Sequence, residues 1–330
     1  MLGHFLTRAQ ASDLVAQRAE RRTFFRKSSG FAVGLAGGAI LAACGGGSGD
    51  SVAQSAPPAA AQGTGPSDAD ILNFALNLEY LEAQFYLFAA TGAGLRDDQQ
   101  AGTGNQGAVT GGRAVNFTDP IVRQYAREIA RDEAAHVAFL RAALGGAAVA
   151  QPTIDIGAGP NGAFSTAARA AGLVGPGQSF DPYASDENFL LAAFLFEDVG
   201  VTAYKGASPL IQNKTFLEAA AGILAVEAYH AGLVRTSLFA RGVDAPQLRA
   251  AADAIAEARD TLDNNQDVDQ GISPTDDMSN IVPTDENGIA FSRSPGDVLN
   301  IVYLNPGAVD RGGFFPAGVN GSLVLSSALG

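Results

Sequence analysis

Two histidines each follow a glutamate by three positions, in Glu133-Ala-Ala-His136 and in Glu227-Ala-Tyr-His230. The third and last histidine, His4, stands at the far N-terminus. With eleven glutamates in 330 residues, two such coincidences are about a one-in-a-thousand event. Residues three apart on a helix share a face. Each pair can therefore offer a carboxylate oxygen and an imidazole nitrogen to one cation. Either pair alone reads more simply as a core histidine hydrogen-bonded to its neighbour. Two pairs on facing helices, joined by a glutamate from each of two more helices, make a dinuclear carboxylate site. Four buried glutamates and two histidines with no metal would be a costly core.

The two further carboxylates are present. One apolar stretch offers Glu79 and Glu82, and another offers Glu197 with Asp198 beside it. A weak repeat surrounds them: Glu79 is followed seven residues later by Tyr86, and Glu197 seven later by Tyr204. Each half reads Glu-x6-Tyr and then Glu-x-x-His, as in a duplicated helical hairpin. The register favours Glu79 over Glu82, which shares its face and stays in reserve. Tyr86 and Tyr204 are candidates for a place behind the ligands, against the plainer reading of packing residues with a hydrogen-bonded tip. Glu128, Asp132 and Asp198 read as solvated groups or as partners that orient a ligand histidine, and Glu218 and Glu257 as surface charge.

Four long helices must position these residues. The first opens at Ser67 with Asp70 in capping-box register and runs to Gly92. The second is capped by Asp119 with Pro120 at its first position and stops at Gly145-Gly146. The third follows Ser185 and ends at Gly206; the fourth begins near Asn213 and ends at Gly242. All four glutamates then lie roughly 16 to 21 Å along their helices, in one layer of an antiparallel bundle. A more polar fifth helix follows Asp244. Residues 92–118 and 146–184 read as long loops. Beyond 263 the helical signal fades into extended segments over the bundle, with "DVLNIVYL" ambiguous between helix and strand.

The N-terminal segment reads as an address. Arg21-Arg22 and the following "TFFRK" resemble a twin-arginine export signal, and Leu41-Ala42-Ala43-Cys44 resembles a lipobox that leaves Cys44, the chain's one cysteine, as a lipid anchor. The expected organisation is signal peptide 1–43, flexible linker 44–66, bundle 67–262 and C-terminal extension 263–330, in a protein of the periplasm or cell envelope. Net charge is −13; losing six basic and two acidic residues with the signal would bring it to −17. No basic stripe is present, which argues against nucleic acid. No run of eighteen apolar residues suggests a membrane-spanning helix of ordinary length.

The ligand pattern resembles the ferritin-like superfamily. "LNFALNLEYLEAQFY" and "GILAVEAYHAGLVR" are similar to bacterial exported ferritin-like domain proteins related to desiccation-related proteins, over about residues 67–330. The resemblance implies an all-α ferritin-like four-helix bundle with a fifth helix, long crossover loops and an irregular C-terminal extension. It puts Glu79, Glu133, His136, Glu197, Glu227 and His230 in the ligand positions, with Glu133 and Glu227 bridging two metals. Carboxylates mixed with imidazole suit iron or manganese. Three readings stay open: an oxidoreductase acting on hydrogen peroxide or dioxygen, a metal-binding protein of oxidative or desiccation stress without turnover, and a structural protectant. The anchor and crossovers argue against a storage cage.

Overall fold

Each long helix starts where its capping residue falls. The computed structural model describes residues 65–263, 266–275 and 277–328; the twin-arginine motif, Cys44 and nearly all of the linker lie outside them. Helix α1 is Asp68–Thr91, closed by the reciprocal Ser67–Asp70 box and by Gly92 in the left-handed region at φ 82°. Helix α2 is Pro120–Leu144, with the Asp119 side chain accepting from the Ile121 N–H. After a short helix α3 (Ala163–Ala170), α4 spans Asp186–Ala207 behind Ser185 and α5 spans Lys214–Arg241 behind Asn213.

The helices form two hairpins, α1 against α2 and α4 against α5, joined chiefly where α1 meets α4. Helices α1 and α4 are buried almost all round. Helix α2 buries one stripe, in which Ile129, Glu133, His136, Val137 and Leu140 recur at helical spacing. On α5 the stripe contains Ile223, Glu227, His230, Val234 and Leu238. The glutamates and histidines thus occupy core positions, and apolar periodicity aims them inward.

The connections hold structure too short to show in sequence periodicity. Strand β1 (Val109–Gly111) pairs in parallel with β2 (Ile154–Ile156), tying the two crossovers together. Helix α3 adds Phe164 to an aromatic cluster with Phe85, Phe196 and Phe314, centroids 4.9 to 5.6 Å apart. Helix α6 is Gln247–Asp260, beginning after Pro246 rather than directly after Asp244, and it buries a face that includes Arg259. The ambiguous segment is helix α7, Pro295–Tyr303, behind a Ser294–Asp297 capping box.

Helix α5 is long and apolar enough, by composition, to cross a membrane. Its alanines and its Ile, Leu, Val and Phe residues raise mean hydropathy although Glu227, His230 and Arg235 are buried inside the bundle.

The C-terminal extension is clipped to α1 by two asparagines. The Asn77 side chain donates to the Asn320 carbonyl at 2.8 Å, and the Asn320 N–H donates back to it at 2.9 Å, both out of water. Truncating Asn77 leaves two buried groups unpaired. Asn77→Ala is expected to lower unfolding free energy by about 1–3 kcal/mol in a denaturant titration.

Candidate metal centre

Six side chains from four helices meet in the middle of the bundle. Glu79, Glu133, His136 and Glu227 form one group, and Glu133, Glu197 and His230 a second; within each, one donor atom per residue lies within 4.8 Å of the others. Glu133 belongs to both. His136 Nδ1 is 3.2 Å from Glu79 Oε2, 3.4 Å from Glu133 Oε2 and 3.7 Å from Glu227 Oε1. His230 Nδ1 is 3.0 Å from Glu133 Oε1 and 3.5 Å from Glu197 Oε2. The imidazole centroids are 6.5 Å apart.

The donors fit cations better than they fit one another. Both oxygens of Glu133, Glu197 and Glu227, and both nitrogens of His230, are buried with no hydrogen-bond partner. The 3.0 Å approach of His230 to Glu133 is close, but it lacks hydrogen-bond geometry. Buried polar atoms are rarely left unmatched, and such exceptions mark a missing ion or a functional site. Here they are carboxylate oxygens and imidazole nitrogens converging in two groups, donors that could hold metal ions.

Protons partly fill the role of cations. Burial raises Glu79 to about 7, with His136 opposing. Burial also lifts Glu197, and lifts Glu227 and Glu82 well above the carboxylate range with Glu133 reinforcing. Burial would raise Glu133 as well, but the two imidazoles flanking it bring it down to about 2. Burial would lower both histidines; instead Glu79 and Glu133 hold His136 at about 10, and Glu197, Asp132 and Glu133 hold His230 at about 12.

The supporting residues divide. Tyr204 O–H donates to Glu79 Oε1, so a tyrosine of the second hairpin holds a carboxylate of the first. Its repeat mate Tyr86 is fully buried, its hydroxyl has no partner, and Glu197 is its strongest electrostatic neighbour. Glu82 is buried beside the site but stands outside both donor groups, while Glu79 stands within one. Asp132 lies 3.6 Å from His230 Nε2, as a partner of a ligand histidine would. Asp198 does not touch a histidine: it is buried between Arg235 at 2.7 Å and Arg259 at 2.9 Å. Sequence reasoning missed this because Arg259 comes from α6, remote in sequence. Glu128 is exposed.

Residues 67–240 match the family described as ferritin-like domain. The chain belongs to that family. It is 30% identical over 242 residues to the desiccation-related protein PCC13-62 of Craterostigma plantagineum, covering 69% of this chain and 75% of the relative. It is also 29% identical over 273 residues to the ferritin-like catalase Nec2 of Nesocodon mauritianus, covering 79% of this chain and 86% of that protein. No solved structure matches the chain. The ferritin-like match ends at residue 240, before α6 and the extension, whereas the 273-residue likeness exceeds the bundle. The bundle with its buried Glu/His cluster is thus a ferritin-like domain compatible with metal binding.

Proposed function

We propose that this ferritin-like protein binds two iron or manganese ions and uses them to dismutate hydrogen peroxide. The carrying observation is the two buried donor groups that share Glu133, with oxygens and nitrogens otherwise unpartnered. Likeness to a ferritin-like catalase supports the reaction, and likeness to a desiccation-related protein supports a stress-protective setting. Glu79, Glu133, His136 and Glu227 would hold one ion; Glu133, Glu197 and His230 would hold the other, with Glu133 between them.

When bound, such a pair supplies the two-electron exchange by which one peroxide is reduced to two waters while another is oxidised to dioxygen, two protons passing between them. The chain's own part is to build and shield the site. The α2 and α5 pairs present nitrogen and oxygen side by side, because three residues make nearly one helical turn. Tyr204 fixes one oxygen of Glu79 and so its orientation. Tyr86, packed on Phe85 at 4.9 Å and Phe189 at 5.9 Å, walls the Glu197 side against water.

The test is oxygen evolution from hydrogen peroxide by protein reconstituted with Mn(II) or Fe(II). Release that depends on metal, at about two ions per chain, supports the reading. Full loading with no oxygen release would leave a metal-binding protectant and sink the catalytic claim.

The proton load gives a pH prediction. The histidines, raised from an ordinary 6.5 to about 10 and 12, stabilise the metal-free fold fully below pH 6.5 and lose this as pH rises through those values. Glu79, raised to about 7, contributes in the same direction, its effect fading between pH 4.5 and 7. Glu133, lowered to about 2, loses its contribution only in strong acid. Metal binding must displace the protons and therefore gains with pH. The difference in melting temperature between loaded and metal-free protein is expected to widen from pH 5 to pH 8, measured by scanning calorimetry.

The same reading has the chain exported in folded form, on the strength of Arg21-Arg22, and tethered to a membrane through a lipid on Cys44.

A further inference from the structure

The two hairpins correspond position by position across the site. Glu79 matches Glu197 and Tyr86 matches Tyr204; Glu133 matches Glu227 and His136 matches His230. The match continues outward. Arg141 donates to the Tyr80 hydroxyl at 2.5 Å, and its counterpart Arg235 donates to Asp198, the counterpart of Tyr80, at 2.7 Å. Against this repeat the exceptions stand out. Arg131-Asp132 corresponds to Ala225-Val226, and Glu82 corresponds to Gly200.

Asp132 is placed to act. One of its oxygens is held by Arg131 Nη2 at 3.0 Å; the other faces His230 Nε2 at 3.6 Å. That nitrogen has no hydrogen-bond partner, and His230 approaches Glu133 and Glu197 through Nδ1. His136 likewise meets its three carboxylates through Nδ1. The residue corresponding to Asp132 there is Val226, which has no acceptor to offer. Glu227 does not make up the difference. Its Oε1 faces His136, while its Oε2 lies where a Cβ on Gly200 would come within 2.3 Å, so it also reaches toward α4, the helix of Glu197.

We infer that the two cation positions are unequal, and that Asp132 is a positioning residue that makes the His230 position the tighter. A carboxylate behind a ligand imidazole fixes its tautomer and ring angle and makes the coordinating nitrogen more basic; losing one costs about 10–100-fold in metal affinity. The inference rests on the two-metal reading.

The test is calorimetric titration of metal-free protein with Mn(II), followed in parallel by electron paramagnetic resonance. The wild type is expected to fill in two steps separated by about 10–100-fold, with an isolated-ion signal at one equivalent. Asp132→Val is expected to weaken the first step by that factor and leave the second unchanged. Val226→Asp is expected to tighten the second step. Equal steps in the wild type, or Asp132→Val shifting neither step or both alike, would overturn the inference while leaving a two-metal site intact. No Mn(II) binding by the wild type would overturn the two-metal reading and this inference with it.

Discussion

Glu133→Ala is expected to abolish metal loading at both positions, lowering content from about two ions per chain to well below one. Glu133 is the one residue in both donor groups, and each of its oxygens faces a different histidine, Oε2 toward His136 and Oε1 toward His230. Removing a donor outright should weaken binding by more than the roughly hundredfold upper range for losing an outer partner. Glu79→Ala touches one group only and should spare about one ion. Elemental analysis after dialysis, with oxygen evolution alongside, checks both. The variants should also differ without metal. Glu133 is the carboxylate held ionised between two imidazoles, so its loss leaves two buried cations short of a partner. Burial, reinforced by Glu133, pushes Glu227 well above the carboxylate range, so Glu227→Gln should disturb the metal-free fold far less. Retention of two ions by Glu133→Ala would disprove the shared-ligand arrangement.

Arg259→Met is expected to cost about 3–5 kcal/mol, the range for removing one partner from a buried ion pair. Arg259 is buried on α6, where it pairs with Asp198 and Asp269 at 2.9 Å each and donates to the Phe194 carbonyl at 2.7 Å. Asp269 also pairs with Arg293, which bonds Asp263 at 2.7 Å and the Thr202 hydroxyl at 2.8 Å. The ladder joins α4, α5 and α6 to the C-terminal extension, one residue from the candidate ligand Glu197. Methionine keeps much of the volume but leaves Asp198 and Asp269 each with one cation fewer. Denaturant unfolding measures the loss. Arg311→Met, which breaks an exposed pair with Asp310, serves as the control with unchanged stability.

These two sites differ in how far the chain announces them. The metal candidates were legible because a helix converts spacing into direction: Glu133 and His136, three apart within an apolar period, share the buried face of α2 whatever packs against it. The helix starts were equally local, since Ser67, Asp119, Ser185 and Asn213 cap through bonds to residues two or three positions away. The arginine ladder was not legible. Arg259 sits in a helix that reads as polar, and its burial is made tolerable by Asp198, 61 residues away, together with Asp269 and the Phe194 carbonyl, which only the fold brings to it. Short elements escaped for another reason: three-residue strands and the eight-residue α3 are too brief for a period to emerge.

The sequence by itself determined the helices, their inward faces and the identity of the converging donors, because capping and periodicity act within a few residues along one chain segment. Only the tertiary structure decided which donors meet. It put Glu79 inside a donor group and left Glu82 beside it, turned Asp198 from the histidines to two arginines, and set Asp132 behind His230. Those outcomes depend on distances between segments far apart in the chain. Such distances are fixed by how the two hairpins pack, and no local pattern encodes them.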